Sequence, residues 1–184
     1  MKTLSISGIG ALYAAMGARM YSGEPVTQLE HALQTAWLAE RAGASPALVA
    51  ASLLHDIGHM VNDCGETPTE RGLDDLHQYH ALAALRGVFG EDVLEPIHWH
   101  VDAKRYLCFA RPEYHAGLSP DSKRSLALQG GIFSADEAQS FAARRRAGDA
   151  VQLRLWDDLA KVAGERTPDW AHFEAILEQV VSLN

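Results

Sequence analysis

The segment from Ser45 to His59 constrains this chain more than any other. Ser45-Pro46 is a helix N-cap followed by proline at the first helical position, and an apolar run continues from there to Ile57. His55 and Asp56 fall into the end of that run, in Leu53-Leu54-His55-Asp56-Ile57-Gly58-His59. Buried ionisable groups cost free energy unless they are paired or coordinate a metal. Neighbours on a helix diverge by about 100°. His55 and Asp56 therefore reach one centre only near a helix end, or two neighbouring centres through a bridging carboxylate.

Helical punctuation runs through the rest of the sequence. Ile6 to Met16 reads as a first helix, and Val26 to Ala42 as a second, closed by Gly43. Asp74 and Asp75 are candidate caps for Leu76 to Phe89, which Gly90 closes. Asp92 to about Cys108 follows, with Pro96 near its start. Ser119-Pro120 opens a short helix that stops at Gly130-Gly131. Ser134 with Glu137 fits a capping box ahead of Ala135 to Ala147. Asp149 to Val162 is another helix, and Thr167-Pro168 opens the last. Asn62 to Gly72 and Arg111 to Gly117 read as irregular. Alternating β-branched residues are almost absent, so the fold class is all-α without a sheet.

The 184 residues suffice for one domain with a proper core. A formal net charge of −8 argues against a nucleic-acid surface, and Arg144-Arg145-Arg146 lacks interleaved aromatics, as a solvated helix face does. Cys64 and Cys108 form no C-x-x-C motif, which fits reduced thiols in a cytoplasmic protein. No stretch reaches the roughly 18 apolar residues of a membrane span. Ser5, Ser7, Gly8 and Gly10 dilute the N-terminal apolar segment too much for a signal peptide. No obligate protein partner is evident.

Compatible metal ligands lie on both sides of His55-Asp56: His31, His80, His100 and Asp157. His31, His55, Asp56 and Asp157 suit one metal; His80 and His100, with Asp56 as a bridge, suit a second. Imidazoles and carboxylates without thiolate fit iron, manganese or zinc and leave open positions. His98 competes with His100, and spacing does not decide between them. His77, His98, His115 and His172 are read as structural or surface residues. Cations and hydroxyls surround the set. Lys104 is one turn from His100, Arg154 one turn before Asp157, and His59 one turn after His55. Ser122 and Ser125 open a helix, where an anion is favoured.

These residues resemble the HD superfamily, whose ligands follow the order His, His-Asp, Asp. More closely, the chain resembles its small mixed-valent di-iron oxygenases that cleave carbon–phosphorus bonds, relatives of myo-inositol oxygenase. The resemblance rests on Tyr21-x-x-Glu24, His31, His55-Asp56-x-x-His59, His80-Ala-x-Ala-Ala-Leu, His100-x-x-x-Lys104, Ser122-x-x-Ser125-Leu126, Gln129-Gly130-Gly131 and Arg154-x-x-Asp157.

The resemblance implies a single HD-domain helical bundle over residues 1–184, with His100 as the ligand in place of His98. It implies two Fe ions, Fe(II)/Fe(III) in the active form. The reaction would be dioxygen-dependent cleavage of a 1-hydroxyphosphonate with a C2 amino or trimethylammonio group, releasing inorganic phosphate and glycine or glycine betaine. Tyr21 looks like a lid, Glu24 like the partner of the cationic nitrogen, and Gln129 like a residue supporting the site. His59, Lys104, Ser122, Ser125 and Arg154 look like phosphonate contacts. The rival reading is an HD phosphohydrolase that uses its metals to activate water. A non-catalytic signalling module fits the open site less well.

Overall fold

The computed structural model describes residues 3–181 except 22, 63 and 66. Among the described residues it has eleven α-helices, one 3₁₀ turn and no strand, as the all-α expectation requires. The first five helices are α1 (Ile6–Met16), α2 (Gln28–Arg41), α3 (Pro46–Leu54), α4 (Gly58–Val61) and α5 (His77–Leu85). The long α6 (Glu91–Ala110) is followed by α7 (Pro112–Gly117), α8 (Pro120–Leu128), α9 (Ala135–Ala142), α10 (Ala147–Leu159) and α11 (Trp170–Gln179).

Caps set most of the boundaries. The side chains of Ser5, Ser45, Ser119 and Ser134 accept the amides of Gly8, Leu48, Ser122 and Glu137. Thr27 and Glu30 make a second reciprocal capping box, which starts α2 two residues later than expected. Asp169 caps α11, so Thr167-Pro168 precedes that helix and does not open it. Arg111 to Gly117, expected to be irregular, contains α7, because Pro112 at its first position is already set for the helix. The segment from Leu76 to Phe89 is helical only over His77–Leu85. It is entered through Leu76 in the left-handed region at φ 51°, an uncommon conformation for a branched residue.

The helix α3 is the axis of the fold, with every residue from Leu48 to Leu54 buried. It packs against α2, α6, α10 and α11, and α6 packs against α10. Ile9, Tyr13, Ala36, Ala39, Leu53, Ile57, Leu85, Ile97, Leu153, Phe173 and Leu177 belong to one core, so the first and last helices share it with the middle ones. A smaller cluster around Ala103, Phe133, Phe141 and Ala150 closes the far side of α6.

One close approach fixes the site. A Cβ built on Gly58 would lie 1.9 Å from the carbonyl oxygen of His77 and 2.8 Å from its Cα. Only glycine lets α4 lie against the start of α5. Gly58→Ala should therefore push His77 away from Asp56, with a loss of about 1–3 kcal/mol or more from overpacking against backbone. Thermal unfolding and metal content check this; a variant unchanged in both would show that the two helices can separate without consequence.

Candidate metal centre

The helix α3 stops at Leu54, and residues 55–57 form a turn before α4 begins. Carbonyls at a broken helix end need new donors. The Tyr13 hydroxyl donates to Leu53 O at 2.9 Å, and His55 Nδ1 donates to Ser52 O at 2.9 Å. The second bond does two things. It stabilises the helix end, and it puts the imidazole proton on Nδ1, leaving the Nε2 lone pair facing inward.

The same logic holds at His31, whose Nδ1 donates to Ala160 O at 2.8 Å where α10 has ended. His31 Nε2 and His55 Nε2 lie 3.3 Å apart. Asp56 Oδ2 is 3.5 and 3.2 Å from them, and Asp157 Oδ1 is 3.4 Å from His31 Nε2. All four side chains are buried.

Asp56 Oδ1 faces the other way. It lies 3.5 Å from His77 Nε2, 3.6 Å from His100 Nε2 and 3.7 Å from His59 Nε2. His77 Nε2 and His100 Nε2 are 3.0 Å apart. His100 Nδ1 donates to Ile97 O at 2.7 Å, and His77 Nδ1 to Asp75 Oδ1 at 2.9 Å. Each oxygen of Asp56 thus serves its own group of imidazoles. The turn after α3 makes this possible for adjacent residues.

His80 is not among the residues brought together; His77 is. His77 lies in the first turn of α5, buried and oriented by Asp75, whereas His80 is half-buried one turn further on. The motif His77-Gln78-Tyr79-His80 offers two histidines at helical spacing, and the left-handed Leu76 decides which faces inward. His98 stacks on Trp99 and meets the edge of Tyr79, away from the cluster that contains His100.

The donor set fits divalent cations. Donors about 2.1 Å from one ion stand roughly 3.0–3.4 Å from one another; these stand 3.0–3.7 Å apart, close enough to converge on an ion. Four Nε2 atoms converge with their protons placed on Nδ1, so each close nitrogen pair lacks a hydrogen-bond donor unless a proton or metal ion stands between. Asp157 Oδ1 is buried without a hydrogen-bond partner. Burial opposes ionisation of Asp56, but His55, His59 and the bond from His31 hold its carboxyl well below the usual carboxylate range. Burial likewise opposes ionisation of Asp157, and Arg154, His31 and Lys161 outweigh it.

Burial lowers the basicity of His31, but Asp157 and Asp56 more than reverse that and raise its pKa to about 9. His59 also rises to about 9, through Asp56 and Asp75 acting against burial. A raised imidazole pKa stabilises the fold fully below the unfolded value near 6.5, and that contribution is lost as pH rises through about 9. Metal-free protein should therefore lose thermal stability across this window. A metal at His31 Nε2 replaces the proton, so uptake near neutral pH should release protons and tighten as pH rises. Calorimetry in buffers of different ionisation enthalpy reads this; uptake without proton release near neutral pH would contradict it.

A cavity of about 260 Å³ opens beside the second group, lined in part by Tyr21, His59, His77, Ser122, Ser125 and Gln129. Lys104 is 3% exposed and donates to Ser125 Oγ at 2.6 Å. It makes no ion pair among the described residues, and burial with the nearby Arg154 lowers its pKa to about 7. Ser125 in turn donates to Ser122 O at 3.1 Å, and Gln129 Oε1 is buried without a partner. A buried lysine with no ion pair among the described residues, bonded to a hydroxyl on α8 that lines the cavity, favours an anionic ligand.

Tyr21 stacks on His31 with centroids 4.1 Å apart and donates its hydroxyl to Asp56 Oδ2 at 2.8 Å, covering the first group. Arg154, read from sequence as a phosphonate contact, is engaged by neighbouring side chains. Nη1 is 2.8 Å from Asp157 Oδ2, Nη2 reaches Asp158, and Nε donates to Tyr114 Oη at 3.1 Å. Its guanidinium holds Asp157 in place. Asp75, read from sequence as a cap, bonds both His59 and His77. Glu24 is paired with Lys161, which no motif marked.

Residues 29–130 match the family described as HD domain. A hydroxymethylphosphonate dioxygenase from Gimesia maris is 43% identical over 156 residues, covering 84% of this chain and 78% of that one. A (1-hydroxy-2-(trimethylamino)ethyl)phosphonate dioxygenase (glycine-betaine-forming) from Leisingera caerulea is 36% identical over 173 residues, covering 94% and 88%. The matched segment contains His31, His55, Asp56, His77 and His100, and the chain belongs to the HD-domain family.

Proposed function

We propose that this chain is a non-haem di-iron oxygenase that cleaves the carbon–phosphorus bond of a 1-hydroxyphosphonate. The observation that carries the reading is Asp56, one oxygen toward His31 and His55, the other toward His77 and His100, beside a cavity whose Ser125 accepts a hydrogen bond from the buried Lys104. The names of the two relatives support the substrate class. His31, His55 and Asp157 would hold one iron and His77 and His100 the other, with Asp56 between them. The irons, when bound, supply the redox chemistry with dioxygen. The overall change converts the 1-hydroxyphosphonate and one dioxygen into a carboxylic acid and inorganic phosphate. With an amino or trimethylammonio group on C2, the acid is glycine or glycine betaine. The core shared by α1, α2, α3 and α11 supports reading residues 1–184 as one domain.

The protein's part is placement. Lys104, Ser122, Ser125 and Gln129 offer the phosphonate a cation, hydroxyls and an amide. His59, oriented by Asp75, faces the same cavity. Tyr21 shields the first group from water, and Arg154 keeps Asp157 ionised and aimed.

Phosphate release from hydroxymethylphosphonate and from 2-amino-1-hydroxyethylphosphonate, with iron-loaded protein in the presence and absence of dioxygen, tests the proposal. One dioxygen consumed per phosphate is expected. Phosphate released equally without dioxygen, or from phosphate esters alone, would establish the phosphohydrolase instead. Lys104→Ala should lose about one to two orders of magnitude in kcat/KM, the value of a charge-assisted hydrogen bond. An unchanged kcat/KM would move the anion site elsewhere.

A further inference from the structure

Glu24 is already occupied. Lys161 Nζ lies 3.2 Å from Glu24 Oε1, and the two side chains are 13% and 11% exposed. The lysine is not a free arm, because both its neighbours are tied to α2. Ala160 O accepts from His31 Nδ1 at 2.8 Å. Val162 exchanges two bonds with Gln34, at 2.8 and 3.1 Å.

Glu24 is equally fixed. Its amide donates to Tyr21 O at 3.0 Å, and the Tyr21 amide donates to Val26 O at 2.8 Å, which closes the turn. Tyr21 and Gly23 both line the cavity, so Glu24 stands one residue from its wall. The Lys161 ammonium is 5.8 Å from the centroid of the Tyr21 ring that covers the first metal group.

We propose that Lys161 is a specificity-determining residue: its ammonium is the resident counter-ion of Glu24, and a cationic group on the ligand gains from that carboxylate only by displacing it. The inference rests on the phosphonate reading. A lone half-buried carboxylate beside the cavity would attract a ligand ammonium. A carboxylate already paired offers it little, and displacing Lys161 leaves a poorly hydrated ammonium without a partner. An uncharged substituent meets no such cost. Lys161 therefore sets the balance between cationic and uncharged 1-hydroxyphosphonates by penalising one of them.

Binding is the direct readout. Two phosphonates without the C1 hydroxyl, 2-aminoethylphosphonate and propylphosphonate, have nearly the same shape and differ by the ammonium. Their affinities for metal-loaded protein are measured by anaerobic calorimetry. Lys161→Met should raise the preference for the aminoethyl compound by roughly tenfold or more, and Lys161→Arg should leave it as in the wild type. Equal metal content and unchanged propylphosphonate affinity in Lys161→Met separate this shift from misfolding. Lys161→Gln serves if the methionine variant does not fold. In the Lys161→Met background, Glu24→Gln should return the preference to within about twofold of the wild type, since the carboxylate that draws the ligand ammonium is then gone. A preference that stays raised in the double variant, or no change in Lys161→Met when both compounds bind, overturns the inference and leaves the phosphonate reading standing. If neither compound binds the wild type, the phosphonate reading falls and the inference with it.

Discussion

Replacing Asp56 with alanine is expected to leave a folded chain that retains neither metal ion and has no turnover. Among the described residues, Asp56 alone has its two oxygens facing both groups of imidazoles, at 3.2–3.5 Å on one side and 3.5–3.7 Å on the other. Without it, His31 and His55 keep Asp157, but among the described residues His77 and His100 keep no carboxylate paired with their Nε2 atoms. The loss in kcat/KM should exceed the roughly 10–100-fold that removing an outer-shell partner costs. Asp56→Asn separates charge from shape. It preserves the volume and one acceptor oxygen, and should keep at most one metal per chain. Elemental analysis with phosphate release measures both variants. An Asp56→Ala protein with two metals and full turnover would remove the bridge from the mechanism.

That expectation was legible in the sequence, because it depends on two adjacent residues and on helical geometry. An apolar run ending in His55-Asp56 already requires a helix end or a bridge. The structure supplies both, since α3 stops at Leu54 and Asp56 splits its oxygens. Serine caps followed by proline were equally legible at Ser45 and Ser119, because a cap is a local interaction. Interactions between distant segments were not. Whether Arg154 meets a ligand or Asp158 depends on Tyr114 arriving from α7, a segment without helical periodicity. Whether Glu24 is free depends on Lys161, which follows the last turn of α10 by two residues. Asp75 was legible as a cap, and its Oδ1 accepts the His77 amide at 3.3 Å at the start of α5. Its contact with His59 spans a loop whose course no local pattern gives.

The choice between His77 and His80 shows the same limit at the centre of the site, and it leads to the second large expected effect. His77→Ala should remove the second metal and reduce kcat/KM by at least about a hundredfold, whereas His80→Ala should keep both metals and stay within about threefold of the wild type. Three contacts support His77. Its Nε2 is 3.0 Å from His100 Nε2 and 3.5 Å from Asp56 Oδ1, and its Nδ1 is bonded to Asp75 at 2.9 Å. It also stacks on His59 with centroids 4.2 Å apart, so its loss would loosen the imidazole that faces the cavity. His80 has none of these partners, and its ring is half-buried on the next turn. Asp75→Ala gives an intermediate case, in which His77 remains but its tautomer and aim are no longer fixed; a loss of about 10–100-fold is expected with metal still bound at high concentration. Metal content and oxygen-dependent phosphate release on the three variants order them as His77→Ala, Asp75→Ala, His80→Ala from most to least damaged. If His80→Ala lost the second metal and His77→Ala kept it, α5 would sit one turn away from its position here, and the contact of Gly58 with the His77 carbonyl would have to open to allow it.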